Sequence, residues 1–310
     1  MEFNTRNFHR MGTVIELTVQ HYNANLVLDE LSNRLTIYEK RFSAHDPTSE
    51  LMEINQNAGI KPVKVHPQLL IKIGKKHSIV KNSSLNIAIG PLVNAWRIGF
   101  KDAKIPPSHS IRSLLKLTDA NSIILNDEKQ TVFLKAKGMF IDLGALAKGY
   151  IADRMIEDLK SMNVTAGLIN LGGNVVTYES SPNHPDGYWR IGIQHPLLPR
   201  GNYIAVLKAL NQSVVTSGIY ERKFTIGKKI YHHILDPNTG YPIETEVAGL
   251  TIVSEQSIDG EIWTGRLFHE SPQQIITTLD QFTDIEGIVI TKSGELFYSD
   301  SLMPYLEIFS

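Results

Sequence analysis

The chain has 310 residues, of which 42% are apolar and 20% charged, the balance of an ordinary globular protein with one large or two average domains. Its 31 basic and 32 acidic residues leave a formal charge of −1, so no broad basic surface points to nucleic acid or anionic lipid as a partner. The lack of any cysteine excludes a disulfide framework, a thiolate zinc site and a cysteine nucleophile.

Along the chain, Met1 to Val19 carries Glu2, Arg6, His9 and Arg10 and has no apolar core of signal-peptide length. No run of about 18 apolar residues follows anywhere, so a cytoplasmic protein without membrane insertion is expected. Thr13 to Val19 is β-branched and partly alternating, which predicts a strand. From Asn25 to Phe42, Leu26, Leu31, Leu35, Tyr38 and Phe42 fall near helical spacing. A second helix is expected from about Pro67 to Lys81, and the Pro-, Ser- and Lys-rich stretch 102–113 reads as a surface loop. Ser122 to Leu125 and Thr131 to Leu134 flank Asn126-Asp127-Glu128 and predict a hairpin. Ile141 to Ala145 leads into a helix through about Lys160, with Ile151, Met155 and Leu159 at four-residue steps. Ala166 to Leu171 predicts a strand that stops at Gly172-Gly173, and several strand-like runs lie between Trp189 and Ile234. Leu250 to Val253 and Gly287 to Thr291 read as strands, Glu261 to Glu270 and Gln273 to Phe282 as helices. The elements mix without a regular βαβ beat or an internal repeat, so the class is α+β in a single compact unit, residues 1–310.

Chemistry gathers where apolar runs end in turns, because strand ends and tight turns present functional groups. In Tyr231-His232-His233-Ile234 followed by Asp236-Pro237-Asn238-Thr239-Gly240, successive strand side chains face opposite ways, so only one histidine can enter a site; taken alone, such a pair is more often structural than catalytic. Asp142-Leu143-Gly144 precedes a helix start with Lys148 in its first turns; such a turn suits a phosphate or a metal, and equally a capped helix with a solvated lysine. Asn86-Ile87-Ala88-Ile89-Gly90-Pro91 marks a strand-to-helix corner. Gly172-Gly173 and Ser217-Gly218 permit close backbone approach to a ligand or serve simply as turns. Neither the G-x-G-x-x-G fingerprint nor the P-loop pattern occurs.

Eight such pieces, taken together and in order, resemble the ApbE family of FAD:protein FMN transferases over nearly the whole chain. They are Met11-Gly12-Thr13, Phe42-Ser43 through Ser49-Glu50-Leu51, Asn86 through Trp96, Ile141 through Tyr150, Leu171-Gly172-Gly173, Thr216-Ser217-Gly218, His233 through Pro242, and Glu261 through Phe268. The resemblance implies a T-fold-like arrangement of mixed sheets and packed helices. It also implies Mg²⁺- or Mn²⁺-dependent cleavage of the FAD pyrophosphate. FMN would pass to a Ser or Thr hydroxyl in the flavinylation motif of an acceptor protein, with release of AMP.

His233 stands at the family's catalytic position. Met11, Asn86, Ile87, Ala88, Asp142, Lys148 and Ser217 match positions that meet FAD, and His45 sits where relatives often carry an aromatic ring. Ala145, through its backbone oxygen, Glu261 and Gly265 match the metal positions. The last two depart from the family's Ala-Asp-Ala-x-x-Thr pattern, since glutamate replaces aspartate and glycine replaces threonine. A small insertion would bring Asp259 and Thr264 into play instead. Leu85-Asn86 replaces a common Phe-Asp, and Ile219 an acid after Ser-Gly. Two rival readings keep the same site. One is an FAD pyrophosphatase that uses water as acceptor; the other is an FAD-binding protein with weakened catalysis.

Overall fold

The computed structural model describes residues 1–66, 68–227 and 229–309. Its centre is an eight-stranded sheet made of Glu2–Arg10, Thr13–His21, Ala166–Leu171, Asn174–Tyr178, Ser213–Gly218, Val247–Ser254, Ile285–Thr291 and Leu296–Tyr298, which lie side by side in that order. Every neighbouring pair is antiparallel. Spatial order therefore follows chain order, and the sheet is a meander into which other segments are inserted. Two three-stranded sheets and the hairpin Lys223–Ile226 with Lys229–His232 complete the β structure described.

The helices are α1 (Ala24–Phe42), α2 (Glu50–Gln56), α3 (Gln68–Ser78), α4 (Gly90–Trp96), α5 (Ser108–Leu115), α6 (Ala147–Ser161), α7 (Ser257–Leu267) and α8 (Pro272–Leu279). All eight residues of Val247–Ser254 are buried, because both faces of this strand are covered. Leu250 and Ile252 face a cluster with Phe268 and Ile275 from the α7–α8 side. Val253 faces Trp189, Ile191 and Leu207 of a three-stranded sheet, as the two-residue period of a strand requires. The largest cluster joins α1 and α6 to the first strands through Leu28, Leu31, Leu35, Ile151 and Met155.

Several expectations shift. The expected start of the second helix at Pro67 lies outside the described residues. The stretch 102–113 is not all loop, since α5 begins at Ser108; its polar run hides one anchor, Ile111, which is 1% exposed. Leu26 points to solvent, and the buried face of α1 is carried by Ala24, Val27, Leu28, Leu31, Leu35 and Phe42. The edge strand Glu2–Arg10 has no buried residue, so it lacks the apolar alternation that marks a strand in sequence. Helix α7 begins at Ser257, before Glu261, and Gln256 makes no side-chain cap bond. The cap comes from Asp153 on α6, 104 residues away, which accepts from the Ser257 amide at 2.6 Å and the Ile258 amide at 2.9 Å.

Candidate active site

Antiparallel alternation collects the motifs at one end of the central sheet. Met11-Gly12 closes the first turn, Gly172-Gly173 the turn between Ala166–Leu171 and Asn174–Tyr178, and Gly218 ends a strand beside Gly249. These turns touch one another. A Cβ on Gly172, which has φ +66°, would lie 2.2 Å from the Thr13 hydroxyl oxygen, so only glycine fits against the Met11-Gly12-Thr13 corner. The Trp96 indole, fully buried, donates to the Gly240 carbonyl at 2.8 Å, which ties the Asn86–Trp96 piece to the His233–Pro242 piece. The Asp142 amide donates to the Ile87 carbonyl at 2.9 Å, which ties that same piece to the Asp-Leu-Gly turn.

The hairpin register decides the two histidines. Lys223 pairs with His232, so Arg222 lies opposite His233. His232 turns inward, is 5% exposed and donates from Nε2 to the Ile243 carbonyl at 3.1 Å. His233 is half-buried, and its amide and its Nδ1 both lie within bonding distance of the Arg222 carbonyl, at 3.1 and 3.2 Å. A carbonyl can only accept, so Nδ1 carries the proton and Nε2 keeps a lone pair. Loss of water, and then the nearby Arg222 guanidinium, pull the His233 pKa down to about 4, with the Lys148 ammonium acting in the same sense. The result is a neutral imidazole able to take a proton.

Lys148 belongs to the other half of the site. Its Nζ donates to Asn174 Oδ1 at 2.6 Å and lies 3.4 Å from Glu261 Oε1. Asn174 Nδ2 in turn donates to Glu261 Oε1 at 2.8 Å. Glu261 is only 4% exposed, and these two donors offset the cost of burying its charge. The triad exists because α6 and α7 pack backbone to backbone. A Cβ on Gly149 would lie 2.5 Å from the Ser257 carbonyl and 2.8 Å from Glu261 Cγ. Asp153 pins the start of α7 to the same helix, and burial pushes its pKa up to about 6 although two amides favour its charge.

The sequence pattern of the ApbE family matches residues 11–289.

The chain belongs to the ApbE family.

A FAD:protein FMN transferase of Klebsiella pneumoniae (strain 342) is 42% identical over 291 residues, which cover 93% of this chain and 89% of that one. One of Treponema pallidum (strain Nichols) is 30% identical over 276 residues, 85% of this chain and 76% of its own. In fold, the chain is similar to the crystal structure of an ApbE protein from Thermotoga maritima, with a TM-score of 0.88 at 24% identity over 98% of this chain and 99% of that one. The ApbE-like α+β arrangement of mixed sheets and packed helices is thus the fold of this chain.

The remaining ApbE positions divide into those that face the site and those already occupied. Met11 holds a left-handed φ of 51° and its amide donates to Glu39. Asn86 spends its side chain on Thr118 and Ala88 backbone atoms, while Ile87 and Ala88 are buried. These three can meet a ligand only through backbone. Asp142 Oδ1 accepts from the Gly144 amide at 2.7 Å, and Ala145 is exposed beside it. Ser217 lies on the strand end at the site, paired with Leu250. His45 is exposed and meets Phe100 edge-on at 5.1 Å, outside the Lys148–Glu261 cluster.

Among the positions expected to hold a metal, Gly265 brings no hydroxyl. Its missing side chain faces Leu85, 3.1 Å from where a Cβ would lie, and its carbonyl accepts from Ser84. Burial, and then the nearby Asp284 and Glu255 carboxylates, raise the Asp259 pKa, and the Thr264 hydroxyl donates to the Glu261 carbonyl. Among the described residues no group of three or more His, Asp or Glu side chains could hold a metal ion. The donors nevertheless fit a hard cation held by one carboxylate, because Mg²⁺ commonly takes one or two carboxylates and completes its shell with waters and substrate phosphates.

Sequence reasoning missed three groups here. Asn174 follows the glycine pair directly, and its position after the turn was the available signal. Asp153 and the Arg222 carbonyl carry no local signal, because their partners lie on other elements. It also missed a cavity of about 1160 Å³ lined by His232, Tyr220, Ile219, Tyr231, Tyr241 and Ser84, among others. None of the expected site residues lines it, although it shares the hairpin wall with His233. Among the described residues, His232 Nδ1 and Tyr220 Oη are buried without a partner.

Proposed function

We propose that this chain is a FAD:protein FMN transferase in which His233 is the general base, residues 1–310 acting as one unit. The observation that carries the mechanism is the neutral His233 ring, with Nδ1 committed to the Arg222 carbonyl and Nε2 without a hydrogen-bond partner among the described residues. The names of the Klebsiella and Treponema relatives support the reaction class.

The Ser or Thr hydroxyl of the acceptor protein gives its proton to His233 Nε2 as its oxygen attacks the FMN phosphorus. The bond from that phosphorus to the bridging oxygen breaks, AMP leaves with that oxygen, and the proton on His233 is available to the leaving group. A pKa near 4 makes His233 a modest base, so it takes the proton late, as the hydroxyl acidifies against phosphorus. Lys148, held by Asn174 and Glu261, offsets negative charge on the diphosphate. Glu261 and the Ala145 carbonyl are the groups that would hold Mg²⁺ or Mn²⁺; such a cation, when bound, supplies charge neutralisation at phosphate oxygens.

The test is incubation of the chain with FAD, Mg²⁺ and a Ser/Thr-containing acceptor peptide, followed by mass spectrometry. The expected result is a peptide heavier by the mass of FMN, with AMP released in equal amount. Free FMN without modified peptide would instead make water the acceptor, and FAD binding without AMP would leave only the binding protein.

A further inference from the structure

We propose that the Arg222 side chain is a substrate-binding group that grips the phosphate oxygens of the FAD diphosphate beside His233; this rests on the transferase reading above. Nothing in the motif resemblance assigns it a role. The hairpin register sets Arg222 opposite His233, and the Arg222 carbonyl is already engaged by the histidine. Its side chain runs to the turn that carries Met11. A Cβ on Gly12 would lie 3.5 Å from Arg222 Nη2, and one on Gly99 would lie 3.0 Å from its Cδ. Both glycines have positive φ, +70° and +94°, a conformation that disfavours side chains, so the backbone under the arginine stays bare.

The guanidinium is also uncommitted. It is exposed, and among the described residues it makes no hydrogen bond or ion pair. By contrast Arg97, Arg190 and Arg200 each pair with a carboxylate, Asp102, Asp186 and Glu221. Two cations, Arg222 and Lys148, lie near His233, and of these Lys148 is already paired with the buried Glu261. The positive charge of Arg222 is left for an anion to match. A diphosphate carries that anion, and the planar fork of a guanidinium binds phosphate oxygens in pairs. One residue would then serve the reaction twice, its carbonyl fixing the histidine tautomer and its side chain holding the group to be cleaved.

The experiment compares the full chain with Arg222→Gln and Arg222→Lys, titrating FAD and riboflavin by flavin fluorescence with Mg²⁺ present. Substitution leaves the backbone carbonyl in place, so His233 keeps its tautomer. The glutamine variant should bind FAD roughly 10- to 100-fold more weakly, riboflavin, which has no phosphate, as before, and the lysine variant should recover part of the loss. The charged and titratable groups that act on His233 are Arg222, Lys148 and, from the strand's other face, His232; with Arg222 neutralised, the acid limb of kcat/KM should move upward in pH. Unchanged FAD affinity in the glutamine variant would overturn the proposal and leave the transferase reading standing, as would an equal loss for FAD and riboflavin, which marks a structural defect. If the unsubstituted chain binds no FAD, the transferase reading fails and this proposal with it.

Discussion

The carbonyl of Arg222 holds His233 at two points, the main-chain amide at 3.1 Å and the ring Nδ1 at 3.2 Å. The ring is therefore fixed to the backbone that carries it, and its free nitrogen has one direction in which to act. His232, one residue earlier, is committed to Ile243 on the other face.

Replacing His233 by alanine should lower FMN transfer by about 10²- to 10⁴-fold, the usual contribution of a positioned base. FAD affinity should change little, since the proposed diphosphate contacts come from Lys148 and Arg222 rather than from the ring. Wild-type transfer rates in this variant, measured by the mass gain of the acceptor, would remove His233 from the mechanism.

Both histidines of the hairpin have pKa values pulled down to about 4 by burial, against about 6.5 in an unfolded chain. Between those values the unfolded chain binds more protons than the folded one, so stability rises with pH across this window. The contribution is complete above pH 6.5 and is lost as pH falls towards 4. His232 alone accounts for about 3 kcal/mol by this linkage, and His233, partly open to water, for less. Urea melts at pH 4.5, 5.5 and 7 should show midpoints climbing in that order. The same shift predicts that kcat/KM for FAD keeps its value through pH 6 and declines only near pH 4; a decline centred near 6.5 would mean that His233 titrates as an ordinary surface histidine.

Glu261→Gln removes the one buried carboxylate facing Lys148. The Mg²⁺ concentration at half-maximal transfer should rise at least about tenfold, whereas Asp259→Asn, placed among Glu255 and Asp284, should leave it unchanged. The reverse pattern in a metal titration would shift the cation site to Asp259 and Thr264.

Gly149→Ala tests whether the contact of α6 with α7 builds the site. The added methyl would meet the Ser257 carbonyl at 2.5 Å and Glu261 Cγ at 2.8 Å, so one helix must move. Overpacking of this kind costs about 1–3 kcal/mol, readable as a lower Tm, and FAD affinity should fall because Lys148 and Glu261 separate. A variant with unchanged melting and unchanged FAD affinity would show that the close approach is not needed.

The chain's residues alone determined the strands and helices whose apolar period is strong, such as Ala166–Leu171 and α6, and the order of the short motifs that mark the ApbE family. Each is a local property, readable from spacing and turn chemistry over a few residues. What only the tertiary structure decided is which polar groups meet. Asp153 caps a helix 104 residues away, Asn174 bridges Lys148 to Glu261, and Arg222 holds His233 across a hairpin. Those pairings follow from antiparallel register and from two helices packed at a glycine. The energy that selects them, burial of a charge beside its partner, exists only once the sheet has brought the turns together.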